Sequence, residues 1–276
     1  MKNTKSVREK KHPYKVYNIN STSRVLLICD HASNYIPKKY KNLGLNKKDI
    51  NRHIGWDIGA KSVARKISNK LNSTLVTNEY SRLLIDCNRP FKAKDAFIKK
   101  SERTIIPGNL NLSKKEKQTR ALKYCIPYRN MIEKIIKDKI KNKIIPIIVA
   151  IHSFTPIYKG EVRPWHLGLL YRKDKRMTSL ALKILAKSKL IKTGINEPYK
   201  CNLIGDFSIP YFGESNGFPC ILFEIRQDLI KKIKGQIYWS NKISNILQKI
   251  IFDSTIKYTA IQRKDVLVYY KRYNKI

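Results

Sequence analysis

Three apolar runs of the chain end in residues that can bind a metal or move a proton. His31 follows RVLLICD, His152 follows IIPIIVAI, and FPCILFEI carries Glu224 with Arg226 and Asp228 just beyond it. Neutral imidazole and carboxylate are the usual ligands of catalytic zinc, and a further carboxylate beside them can shuttle a proton. These residue types therefore suggest metal-assisted hydrolysis. A fourth segment, EYSRLLIDCNRP, brings together Arg82, Asp86, Asn88 and Arg89. The planar guanidinium fork suits a carboxylate, and Asn adds a directional hydrogen bond, so this segment suits an acidic substrate. Taken singly, each residue also has a structural reading: a strand-end Asp such as Asp30 commonly caps a helix, and Asp86 can pair with a neighbouring arginine.

The elements that must position these groups are legible in the pattern. RVLLIC, IIPIIVAI and FPCILFEI are short, continuous and apolar, as expected of strands buried on both faces, and TLVTNEYSRLLIDC reads as one or two more. Between them Val63, Ile67 and Leu71 recur at helical spacing after Asp57. KEKQTRALKYCIPYRNMIEKIIKDKI reads as a long helical region broken at Pro127, and SLALKILAKSKLI and QIYWSNKISNILQKII read as further helices. Alternating strands and helices predict an α/β domain with a largely parallel sheet, whose strand ends line one crevice. Residues 1–22 are polar and basic and read as an arm or edge segment, leaving a single domain over 23–276.

Composition narrows the function classes. Lys and Arg total 58 against 20 Asp and Glu, a formal charge of +38 over 276 residues. The lysines are spread through the whole chain among Ile and Asn, so a nucleic-acid footprint, which concentrates on one element, is not expected. No apolar run is long enough to span a membrane. The five cysteines are odd in number and widely spaced, which fits a reducing cytoplasm better than a disulfide framework. They have no histidine at motif spacing, Ser33 and Ser153 lack a G-x-S-x-G elbow, and no glycine-rich phosphate loop is present.

In order, CDHASNYIP, HIGWDIGA, YSRLLIDCNRP, AIHSFTP, NEPY and FEIRQDLI resemble the N-formylglutamate amidohydrolase family, spanning roughly residues 25 to 230. That family is related to the zinc carboxypeptidases and aspartoacylase-like enzymes. The resemblance implies a three-layer α/β sandwich whose mixed, mostly parallel sheet is covered by helices on both faces. It also implies one zinc ion per chain and hydrolysis of a small carboxylated N-acyl amino acid, N-formyl-L-glutamate foremost, in the cytoplasm. His31 and His152 are the implied ligands and Glu224 the general base. Asp57 is the implied third ligand, with His53 as runner-up, because Asn34 stands where carboxypeptidase spacing would put a glutamate. A nearby arginine, Arg82 or Arg226, is expected to stabilise the oxyanion, and Asn88, Arg89 and Ser153 to hold the substrate. Asp30 is expected to orient His31 or to adjoin the site. Tyr211-Phe212 stands where a histidine is expected before the EIR block. A catalytically degenerate member of the fold and a basic nucleic-acid-binding module are the competing readings.

Overall fold

The computed structural model describes residues 12–188, 190–253, 256 and 264–274. Seven strands form the main sheet: β1 (Tyr14–Tyr17), β2 (Val25–Cys29), β3 (Thr74–Asn78), β4 (Ile147–Phe154), β5 (Leu167–Leu170), β6 (Thr193–Ile195) and β7 (Cys220–Arg226). Their spatial order is β1-β3-β2-β4-β7-β5-β6. Four of the six pairings are parallel. The antiparallel ones join β1 to β3 at one edge and β7 to β5 towards the other.

Strands β2 and β4 are buried along their whole length, as continuous apolar runs require when both faces are covered. Val25, Leu27 and Cys29 pack in one layer with helices α1 (Ala60–Lys70), α3 (Arg176–Leu185) and α4 (Ile233–Ile251). Leu26 and Ile28 point the opposite way, into a layer holding α2 (Ile126–Lys141) and α5 (Lys264–Tyr273). The molecule is thus an α/β sandwich with helices on both faces of a mixed sheet. Each fully buried aliphatic side chain in these layers contributes about 1.5–3 kcal/mol.

Within the expected basic arm, Tyr14–Tyr17 is the edge strand β1, and residues 1–11 lie outside the described residues. Pro127 does mark a change in helix geometry. Lys114–Arg120 begins on the Ser113 side chain, passes through a π turn at Ala121–Cys125, and re-enters an α-helix with Pro127 in its first turn, where a missing N–H costs little. TLVTNEYSRLLIDC supplies one strand rather than two. The hydroxyl of Ser81 accepts from the Leu83 amide, its carbonyl from the Leu84 amide, and the chain turns while Leu83, Leu84 and Ile85 still bury their side chains.

Candidate active site

Asp30 and His31 leave the carboxyl end of β2, and His152 and Glu224 are cross-strand partners near the ends of the parallel pair β4 and β7. Glu224 also faces Gly168 of β5. A Cβ there would lie 2.0 Å from the Glu197 carbonyl and 3.1 Å from the Glu224 Cβ, so the close approach of the 197 loop to the acid needs glycine. Asp57 stands just before α1, and its amide donates to the His31 carbonyl at 2.9 Å, fixing the two loops together.

His31, Asp57 and His152 are all buried, with one ligand atom from each lying within 4.8 Å of the others. Asp57 Oδ2 is 3.3 Å from His31 Nδ1 and 2.8 Å from His152 Nδ1. Behind them, His31 Nε2 is 2.8 Å from Asp86 Oδ1 and His152 Nε2 is 3.2 Å from Asp30 Oδ2. A carboxylate only accepts, so both Nε2 atoms carry protons. Each ring is then satisfied either as imidazolium or as neutral imidazole with its Nδ1 lone pair turned to a cation that Asp57 also binds. Two imidazole nitrogens and a carboxylate oxygen, each imidazole backed by a carboxylate, are a donor set that fits zinc.

The site's electrostatics separate its acids. Burial tends to raise the Asp57 carboxyl, but the charge and hydrogen bonds of His31 and His152 outweigh it and hold the group far below its usual range. Burial likewise disfavours charge on His152, yet its hydrogen bonds to Asp30 and Asp57 push its pKa well up. Glu224 goes the other way: burial, reinforced by Asp57, raises it to about 8, and Oε2 has no hydrogen-bond partner among the described residues. A buried acid left without a partner beside a ligand cluster is suited to proton transfer.

These groups open onto a cleft of about 490 Å³ that is also lined by Arg82, Asn88, Arg89 and Ser153. Arg82 Nη2 donates to Asp86 Oδ2 at 2.7 Å, and Nη1 lies 3.7 Å from Asp57 Oδ1. Arg89 Nε donates to Asp95 at 2.7 Å, and its Nη1 donates to the Gly205 carbonyl. Asn88 Oδ1 accepts from the amides of Phe207 and Ser208, and Nδ2 donates to Asp206 at 3.2 Å. The Ser153 hydroxyl donates to the Ile58 carbonyl at 3.0 Å, which ties β4 to the Asp57 loop.

Other expected residues sit elsewhere. Arg226 lies outside the cleft lining because its guanidinium turns to Asp228, at 2.9 Å, and to the Pro164 carbonyl. His53 lines the cleft but faces Glu102 at 3.4 Å and is not in the His31–Asp57–His152 group. Asn34 donates to Asn51 on the exposed side. Phe212 is buried against Phe207 and Tyr211 and does not line the cleft, so the missing histidine leaves no gap there. Asp30 backs His152 rather than His31, and it also accepts from Tyr128 and Ser208. The partner of His31 is Asp86, a residue the sequence offered only as part of an arginine pair.

Comparisons with known proteins bear on the family and the fold. The model of the N-formylglutamate amidohydrolase family matches residues 23–231. A solved gene product from Agrobacterium tumefaciens is 33% identical, with a TM-score of 0.84 over 87% of this chain and 95% of its own. An N-formylglutamate amidohydrolase from Ralstonia eutropha JMP134 is 16% identical, with a TM-score of 0.53 over 87% of this chain and 97% of its own, and shares the fold. No curated protein matches in sequence. With most of the chain under the family model, and buried histidines and carboxylates at the strand ends that model spans, the chain belongs to the N-formylglutamate amidohydrolase family of hydrolases.

Proposed function

We propose that this protein hydrolyses the amide of an N-acyl amino acid, N-formyl-L-glutamate foremost, to give formate and L-glutamate. The observation that carries the reading is the meeting of His31, Asp57 and His152 beside the unpartnered Oε2 of Glu224. His31 Nδ1, His152 Nδ1 and the Asp57 carboxylate would hold one zinc ion per chain, with Asp86 and Asp30 keeping both imidazoles in the tautomer that leaves Nδ1 free. Bound there, such an ion supplies Lewis acidity, activating water and polarising the amide carbonyl.

The protein's own residues supply the rest. Glu224 Oε2 takes the proton from the attacking water and returns it to the departing amine. Arg82 directs positive charge into the cleft, where the carbonyl oxygen becomes anionic. Arg89, anchored through Nε and Nη1, leaves Nη2 for the substrate α-carboxylate, and Asn88 fixes the 206–208 loop against it. Five free, buried cysteines suit the reducing cytoplasm in which we place the protein. No described helix is long and apolar enough to cross a membrane.

Metal content and formate release, measured on the wild type and on His152→Ala, test the reading. About one zinc per chain, with turnover that His152→Ala abolishes, supports it. A protein that binds no divalent metal and releases no formate after zinc is supplied is not this enzyme. Salt-sensitive nucleic-acid binding that survives His152→Ala would favour the basic-module reading instead.

A further inference from the structure

The walls of the cleft are held in two different ways. Tyr158 sits on a short hairpin, Ile157–Tyr158 paired with Glu161–Val162, that closes on itself, the Arg163 amide donating to the Pro156 carbonyl at 2.8 Å. The wall that carries Asn88, Arg89, Gly205 and Asp206 is tied instead to α5, a helix beyond residue 231, where the family match ends. Val266 and Tyr270 stand four residues apart on one face of α5 and are buried, whereas Val268 is 68% exposed. Asn274 continues the same spacing just past the helix, its amide donating to the Tyr270 carbonyl at 2.9 Å.

That face reaches the cleft wall without lining the cleft. The Tyr270 hydroxyl donates to the Asp206 carbonyl, and its ring meets Phe207 edge-on with centres 4.9 Å apart. The 205–208 backbone is thereby fixed at successive points. The Gly205 carbonyl accepts from Arg89, the Asp206 carbonyl from Tyr270, and the Phe207 and Ser208 amides donate to Asn88 at 2.9 and 2.8 Å. Asn274 Oδ1 accepts from Arg129 Nη1 at 2.7 Å, and the same guanidinium donates to the Cys87 and Arg89 carbonyls and covers the Phe207 ring, 3.5 Å from its centre. The Lys92 amide donates to the Tyr273 carbonyl at 3.1 Å. At its other end α5 is held by Asp265, which pairs with Arg172 at 2.9 Å and Lys173 at 3.2 Å.

We propose that α5 is a clamp on the substrate-binding wall, with Tyr270 and Asn274 as positioning residues that fix the 205–208 loop and the Cys87–Arg89 segment, and through them Asn88 and Arg89. This rests on the amidohydrolase reading above, in which Arg89 receives the substrate α-carboxylate. A guanidinium held in the bound geometry loses little freedom on binding, so the clamp lowers the cost of capture. The metal side is held separately: Asp30 accepts from Ser208 at 2.7 Å and also from Tyr128 at 3.0 Å, so a loosened loop still leaves it a partner.

The test compares zinc-loaded wild type, Tyr270→Phe, Asn274→Ala and Val268→Ser in the full chain. On N-formyl-L-glutamate, Tyr270→Phe keeps the ring and loses the hydroxyl, and it should raise KM roughly fivefold to tenfold with kcat within about twofold of wild type. Asn274→Ala should raise KM about twofold to threefold, because Arg129 keeps its bonds to the Cys87 and Arg89 carbonyls. Amide hydrogen exchange at Phe207 and Ser208, measured without substrate, should quicken about tenfold in Tyr270→Phe. Val268→Ser should match the wild type in every measurement, and zinc content should be the same in all four proteins. A merely structural Tyr270 would lower the melting temperature and leave KM and the local exchange unchanged, which overturns the proposal. A fall in kcat with KM unchanged, or an equal effect of Val268→Ser, overturns it too. If the wild type hydrolyses no N-formyl amino acid, the amidohydrolase reading fails, and calorimetric binding of L-glutamate takes the place of KM. Weaker binding in Tyr270→Phe then keeps the clamp, and equal binding or none overturns it.

Discussion

The floor of the cleft and its hairpin wall treat charge in opposite ways. On the floor, His31 and His152 share Asp57, and each has its own carboxylate behind it, Asp86 or Asp30. Behind the wall residues Tyr158 and Tyr199, Arg163 is held by their two rings and the Tyr199 phenol, with no acid partner among the described residues. A floor with an excess of carboxylates calls for a cation, whereas the Arg163 charge is buffered by aromatic faces. Substitutions that damage the floor and substitutions that loosen the hairpin should therefore be separable.

The largest effect is expected on the floor. On the proposed reading His152→Ala would remove a metal ligand and with it both Lewis acidity and organised proton transfer, so kcat/KM should fall by at least about 10⁴-fold, with metal content read in parallel. Glu224→Gln removes proton transfer alone, for a loss of about 10²–10³-fold in kcat with the metal retained. Activity should fall as pH is lowered through the Glu224 pKa, because a base must be ionised, and that acidic limb should vanish in Glu224→Gln. A bound cation favours the carboxylate, so the limb should lie below the value of about 8 set by burial.

Asp86→Asn and Asp30→Asn keep all three proposed ligands but lose the outer carboxylates, and chelator competition should show metal affinity lowered about 10–100-fold. In chelated protein, the raised folded pKa of His152 has a definite sign. Its stabilisation is fully present below the ordinary histidine value of 6.5 and is lost as pH rises through the folded pKa, so melting temperature should decline on that side. The smallest effect tests the boundary of the site. Arg226→Ala removes its pair with Asp228 and its hydrogen bond to the Pro164 carbonyl, both outside the cleft, and it should change kcat/KM by less than about twofold and stability by less than about 1 kcal/mol.

The readable part of this architecture was whatever long runs dictate. Continuous apolar segments such as RVLLIC and IIPIIVAI have one low-energy fate, a strand buried on both faces, and the polar residues at their ends must then emerge along one crevice. His31, His152 and Glu224 were visible for that reason. Asp57 was visible from its place ahead of α1 and from the block it shares with the family. What the pattern could not carry was the direction in which turn residues point. Asp86 reads as an arginine partner until the turn at Ser81 swings it behind His31, and Asp30 reads as an orienter of its neighbour until β4 brings His152 closer. Arg163 gave no signal at all, since its solitude depends on which acids the folded chain leaves out of reach. Arg226 misled because strand alternation sets only the face of a side chain, and a nearby Asp228 captured its end.

The pairing of His152 with Glu224 across β4 and β7, together with the contact between His152 and Asp30, 122 residues earlier, has a kinetic consequence. Contacts of such separation are slow to form, because the entropy of closing the intervening chain is lost before any pairing rewards it. No local fragment contains the ligand set, so metal capture should follow assembly of the central sheet rather than nucleate it. The time course of metal uptake during refolding would then report the arrival of these long-range contacts.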